Sequence, residues 1–206
     1  MSLREELFGL APGVPRFRML LPAEWASFPV TPELGGELEK RAREVFARAG
    51  RPDLDGVFSA QLSSAMRGLE ESGANYVFLP SERTPGKDPL ALSMIATFVN
   101  SPDGSLDGWI KTRVRSHGAE MLDPGGRIIR WHERRPGLDD ETHRAQSIYV
   151  TPVPGTNRRR ALMLTGSTVI GADSPDDDEY AVAVRMIFDA MASTVTWIID
   201  DAEAQS

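Results

Sequence analysis

The segment 145–170, AQSIYVTPVPGTNRRRALMLTGSTVI, decides how the chain folds. Two strand-like runs, AQSIYVTPV (145–153) and RALMLTGSTVI (160–170), flank the turn-forming PGTNRR. So short a connection makes them antiparallel, because parallel neighbours need a crossover of a dozen or more residues. Just upstream, RIIRWHERR (127–135) alternates as a third strand, and the three make a meander. The chain therefore holds an antiparallel sheet at its centre.

Working back towards the N-terminus, PLALSMIATFV (89–99) sets Leu90, Leu92, Met94, Ala96 and Phe98 on one face and Ser93 and Thr97 on the other. ANYVFL (74–79) is a short strand, separated from it by the turn-rich PSERTPGKD (80–88). RFRMLLP (16–22) reads as a half-exposed opening strand closed by Pro22. Helices cover the sheet. Thr31 and Pro32 start one that Gly50 stops, with Leu34, Leu38, Ala42, Val45 and Phe46 recurring at three- and four-residue steps. Asp53 starts a second, ended by Gly73, with Val57, Phe58, Leu62, Met66 and Leu69 as its stripe. A third is expected over 105–122 and a fourth over 176–199, where Asp176, Asp177, Asp178 and Glu179 occupy the positive end of the helix dipole.

These elements predict an α+β fold: a single α/β/α sandwich with a mainly antiparallel sheet. One domain is expected over 1–206, with 1–15 and 200–206 as peripheral tails, since 206 residues suit one core better than two. Phe58, Leu62, Leu92, Phe98, Leu162, Leu164, Ile187 and Met191 are the expected core.

Composition narrows the function by exclusion. The formal charge of −7, with 30 acidic against 23 basic residues, argues against a general nucleic-acid binder. With no cysteine, thiolate metal sites, disulfides and cysteine nucleophiles are ruled out. No apolar run reaches the roughly 18–20 residues of a membrane-spanning helix, and MSLREELFGLAPG lacks the apolar core of a signal peptide, so a cytoplasmic protein is expected. Arginine supplies 20 of the 23 basic residues, which fits a GC-rich bacterial genome.

Catalytic patterns are weak. TGSTVIG (165–171) lacks the Gly-x-Ser-x-Gly spacing of a nucleophile elbow, and DPGGR (123–127) lacks the Lys-Ser or Lys-Thr of a phosphate loop. Neither a cofactor nor a resident metal is expected. The densest ligand cluster, Asp139, Glu141 and His143 in the 139–143 loop, without the alternate spacing of a calcium loop, is the alternative metal or hydrolase site. Charge is more informative. Residues 105–160 carry 11 basic against seven acidic residues, and Arg130, Trp131, Arg134 and Arg135 concentrate it on one strand. A tryptophan among arginines is a common interface composition and could also stack on a base. It is equally the signature of a core tryptophan whose neighbouring arginines pair with the acidic final helix.

The order of elements, with Pro22-Ala23-Glu24-Trp25 after the opening strand and an acidic start to the last helix, resembles the PsbP-like α/β/α sandwich group, which includes LpqN-type lipoproteins and DcrB-like proteins. Two departures stand out: no lipoprotein cysteine, and a long two-helix segment at 31–73. The resemblance implies a binding or assembly factor, an accessory or chaperone of a bacterial secretion or envelope system with another protein as its partner. A small hydrolase or metal-dependent enzyme is the alternative.

Overall fold

The computed structural model describes residues 16–23, 25–48, 50, 53–80, 92–101, 104–137, 140–175 and 177–198. Both expected tails, Glu24, Asp139 and Asp176 lie outside them. The central hairpin forms as its sequence requires. Strands β7 (Thr142–Pro152) and β8 (Arg160–Gly171) pair over their whole length, from Thr142 opposite Gly171 to Pro152 opposite Ala161. Around them the main sheet runs β2 (Trp25–Pro29), β3 (Ala74–Pro80), β4 (Leu92–Asn100), β8, β7, β6 (Ile129–Pro136) and β5 (Glu120–Met121). Every neighbouring pair in it is antiparallel.

Four helices among the described residues cover the two faces. α1 (Leu34–Arg48) and α2 (Leu54–Glu71) form the expected helical hairpin. α3 (Leu106–His117) starts where the Ser105 side chain accepts a hydrogen bond from the Asp107 N–H, and ends at Gly118, whose φ of 64° is left-handed. It therefore stops short of residue 122, and the chain enters β5 instead. α4 (Glu179–Ser193) is capped by Asp178, whose carboxylate accepts from the Ala181 N–H.

The end of α4 corrects an expectation. The helix does not reach residue 199, because Thr194-Val195-Thr196 is a β-branched run that loses rotamer freedom in a helix and suits a strand. The chain instead forms β9 (Thr196–Ile198), which pairs with β1 (Arg16–Arg18) in a separate two-stranded ribbon. β1 is accordingly not part of the main sheet, and the strand next to β3 is β2.

Two apolar clusters lie on opposite faces of the sheet, as alternation demands. One gathers Phe78, Leu92, Met94, Tyr149, Leu162 and Leu164 under Val184, Phe188 and Met191 of α4. The other gathers Ile129, Trp131, Ile148 and Val150 under Leu106 of α3. Of the expected core residues, Leu92, Leu162, Leu164 and Met191 are buried, while Phe98 and Ile187 are partly buried at the margin of the first cluster. Phe58 and Leu62 are only half-buried. They face α1, where the Phe58 ring stands edge-on to Phe46 with centroids 5.6 Å apart.

Candidate functional site

β6 carries the four residues singled out by composition, and its alternation divides them between the faces of the sheet. Trp131 is 4% exposed and sits in the α3-side core, its ring edge-on to Trp109 at 6.0 Å. The indole N–H donates to Glu133 Oε1 at 2.8 Å, and Arg135 donates to Glu133 Oε2 at 2.5 Å. Burial opposes ionisation of Glu133, but these donors prevail and hold its pKa below the usual carboxylate value. On the other face Arg130 donates to Glu120 Oε1 at 2.7 Å and to Asp189 Oδ2 of α4, while Arg134 donates to the Ser174 carbonyl at 2.6 Å. No continuous patch of Arg130, Trp131, Arg134 and Arg135 is assembled. Trp131 is core, and Arg130 pairs with the last helix.

The same face brings together a serine, a histidine and an aspartate. His132 Nδ1 lies 3.0 Å from Ser147 Oγ, and Asp189 is close enough to act on His132 electrostatically. The arrangement does not suit nucleophilic catalysis, which needs a reachable nucleophile and a carboxylate aimed at the base. Ser147 is 3% exposed, and both Asp189 oxygens are taken, one by the Tyr149 hydroxyl at 2.7 Å and one by Arg130. Burial, and then the Asp189 carboxylate, push the Tyr149 hydroxyl far above its ordinary range, so it stays a donor. This is a polar lock between α4 and the sheet.

In the alternative metal loop, Asp139 is outside the described residues. Glu141 is exposed, and His143 Nδ1 lies 2.9 Å from the Thr142 carbonyl oxygen. Among the described residues no three His, Asp or Glu side chains are grouped to hold a metal ion.

Among the described residues, a concave feature with room for a ligand lies elsewhere. Beyond β1 the chain continues as Met19-Leu20-Leu21, tethered by the Leu20 N–H donating to Thr194 Oγ1 at 2.9 Å. The ribbon and this extension overhang β2 and β3, enclosing a slot of about 560 Å³. Phe17, Met19 and Leu21 line one wall, Tyr76 and Phe78 the other, and Ile198 closes the end. Phe17 makes edge contacts with Tyr76, Phe98 and Trp197 at 6.1–6.2 Å, which fixes the ribbon in place. Among the described residues the slot's polar lining comprises Arg16, Arg18, Ser27 and Tyr76. Burial raises the Tyr76 hydroxyl's pKa, while the positive charge of Arg16 opposes that rise. An apolar cleft with a few placed polar groups is the ordinary form of a binding site.

From sequence alone this segment reads as a half-exposed strand. The Arg16-Phe17-Arg18-Met19 alternation signals two-sidedness, but the slot exists only because residues near 17 and 197 pair across the fold.

No protein-family model and no curated protein sequence matches the chain. Solved structures give partial likenesses in shape. A mutant of the protein Mog1 matches with a TM-score of 0.44 and 8% identity, over 62% of this chain and 81% of that one. A protein from Bacteroides thetaiotaomicron VPI-5482 gives 0.43 and 7%, over 90% of this chain and 46% of that one. LpqN, involved in cell envelope biogenesis of Mycobacterium tuberculosis, gives 0.39 and 12%, over 92% and 87%. Likenesses this distant transfer neither a site nor an activity.

Proposed function

We propose that this protein is a binding or assembly factor and not an enzyme, and that the slot between the β1–β9 ribbon and β2–β3 holds its partner. The slot itself carries the reading: it joins about 560 Å³ of apolar space to a rim bearing two arginines. Leu20, 72% exposed, extends the apolar lining of the slot to its mouth. Meanwhile the polar constellation nearest to a catalytic one is spent on internal bonds. In its finer form the proposal makes the protein a cytoplasmic accessory or chaperone of a bacterial secretion or envelope system; no helix among the described residues is long and apolar enough to cross a membrane.

The slot is tested with the fluorescent apolar anion 1-anilinonaphthalene-8-sulfonate on the full chain. Saturable enhancement at one site is expected, weakened by Leu20→Asp and unaffected by Val182→Asp on the exposed side of α4. Absence of enhancement overturns the reading. The finer role is tested by the neighbouring genes and by cell fractionation, since an adaptor is usually encoded beside its client.

A further inference from the structure

The slot has a candidate occupant attached to its own rim. Arg16 lines the slot and stands opposite Ile198, which closes its end. Fifteen residues precede Arg16 and lie outside the described part of the fold. Their sequence divides in two. SLREELFGL (2–10) places Leu3, Leu7, Phe8 and Leu10 on a helical repeat, behind Ser2 and Glu5 in the spacing of a capping box. Ala11-Pro12-Gly13-Val14 then sets proline and glycine at the two central positions that favour a type II turn, a sequence suited to reversing the chain.

So short a stripe does not hold a helix in water by itself, and its apolar side needs a surface. The slot offers one within reach. Residues 11–15 can span up to about 17 Å, nearly the length of the wall Arg16–Leu21, so residues 3–10 can be laid along all of it. Phe17, Met19, Leu21 and Phe78 supply an apolar lining of the kind that takes i, i+4 anchors such as Leu3 and Leu7. Arg16 already has an interaction partner, so reach and apolar content choose the occupant, not rim charge. The other terminal segment, 199–206, has Ile199 as its one large apolar residue, beside three carboxylates, and offers the slot far less. A second copy of the chain would lose translational freedom that a tether spares.

Resting on the slot reading above, we infer that residues 3–10 of the same chain occupy the slot as a tethered plug that a partner must displace. Through a five-residue link the plug is presented at an effective concentration on the order of millimolar. An intrinsic Kd of about 0.1 mM is then enough to fill the slot about nine-tenths of the time and to weaken any competitor about tenfold.

The test repeats the anilinonaphthalene titration on the full chain and on the double variant Leu7→Asn/Phe8→Asn, which is neutral and leaves every residue of the slot unchanged. The variant should bind the probe about tenfold more tightly, by the same factor at every protein concentration. A terminal segment that merely attracted the probe would give the opposite sign. A blocked peptide of residues 1–11, added to the variant, should reverse the gain with a Kd of about 0.1 mM. The chain has no cysteine, so Gly9→Cys with Leu20→Cys should form an intramolecular disulfide on mild oxidation, and Gly9→Cys with Val182→Cys should not. If the probe binds both forms equally and Leu20→Asp weakens it, the slot reading stands and the plug is wrong. If the probe binds neither form, both fall. A gain from Ile199→Asn in place of Leu7→Asn/Phe8→Asn assigns the slot to residues 199–206, and a gain that grows with protein concentration assigns it to a second copy; either overturns the proposal.

Discussion

α4 and the α1–α2 hairpin are both amphipathic helical elements, yet they relate to the sheet in opposite ways. α4 buries Ala181, Val184, Phe188, Met191 and Ala192 along one stripe, and Phe188 is 1% exposed. Its ring rests on Gly166 of β8, where a Cβ would come within 2.6 Å of it. In the hairpin Leu34 is buried, but Phe46, Phe58, Leu62 and Met66 are half-buried. Those residues face each other more than the sheet. A stripe announces which side of a helix turns inward; how deeply it is covered depends on what the sheet presents beneath it. Near the middle of the sheet stand Met94, Leu162 and Leu164, while the hairpin packs beside the edge pair β2–β3, with Arg41 over the Phe28 ring at 5.3 Å.

The largest test of this contrast is Phe188→Ala, expected to cost about 3–5 kcal/mol in equilibrium denaturation because a fully enclosed ring leaves a cavity. Gly166→Ala approaches the same contact from below. Ring and new methyl cannot both keep their places, and a loss of about 1–3 kcal/mol is expected. Phe58→Ala should cost about 1–2 kcal/mol, since that ring is only partly buried. If Phe58→Ala proved as damaging as Phe188→Ala, the hairpin would be as much a part of the core as α4.

The smallest effect is one of pH. Burial, joined by the positive charge of Arg185, lowers the pKa of His132 beneath α4. The unfolded chain therefore takes up this proton at higher pH than the folded one. Stability is complete above the unfolded value of about 6.5 and declines as pH falls through it. The protection factors of the α4 amides, which correct for the intrinsic pH dependence of exchange, should fall on going from about pH 7 to pH 5, and His132→Gln should abolish the change. The hairpin region 34–71 contains no histidine and should be indifferent over that range. An equal fall of protection in both would show that they open as one unit.

What the sequence determined by itself is local. The 145–170 hairpin, the alternation in 92–99, and the stops at Gly50 and Gly73, both at positive φ, follow from turn chemistry, side-chain period and the steric freedom of glycine. Alternation along 127–135 likewise puts Trp131 on one face of the strand and Arg130 and Arg134 on the other. Only the tertiary structure decided the rest. Whether Trp131 meets water depends on α3 and Trp109 arriving over it. That residues 196–198 leave the helix and pair with 16–18 depends on strand partners about 180 positions apart, and no spacing in one chain encodes such a meeting. The slot is a product of that closure. It arises because backbone groups and apolar faces are satisfied by whichever distant partner the folded chain brings near.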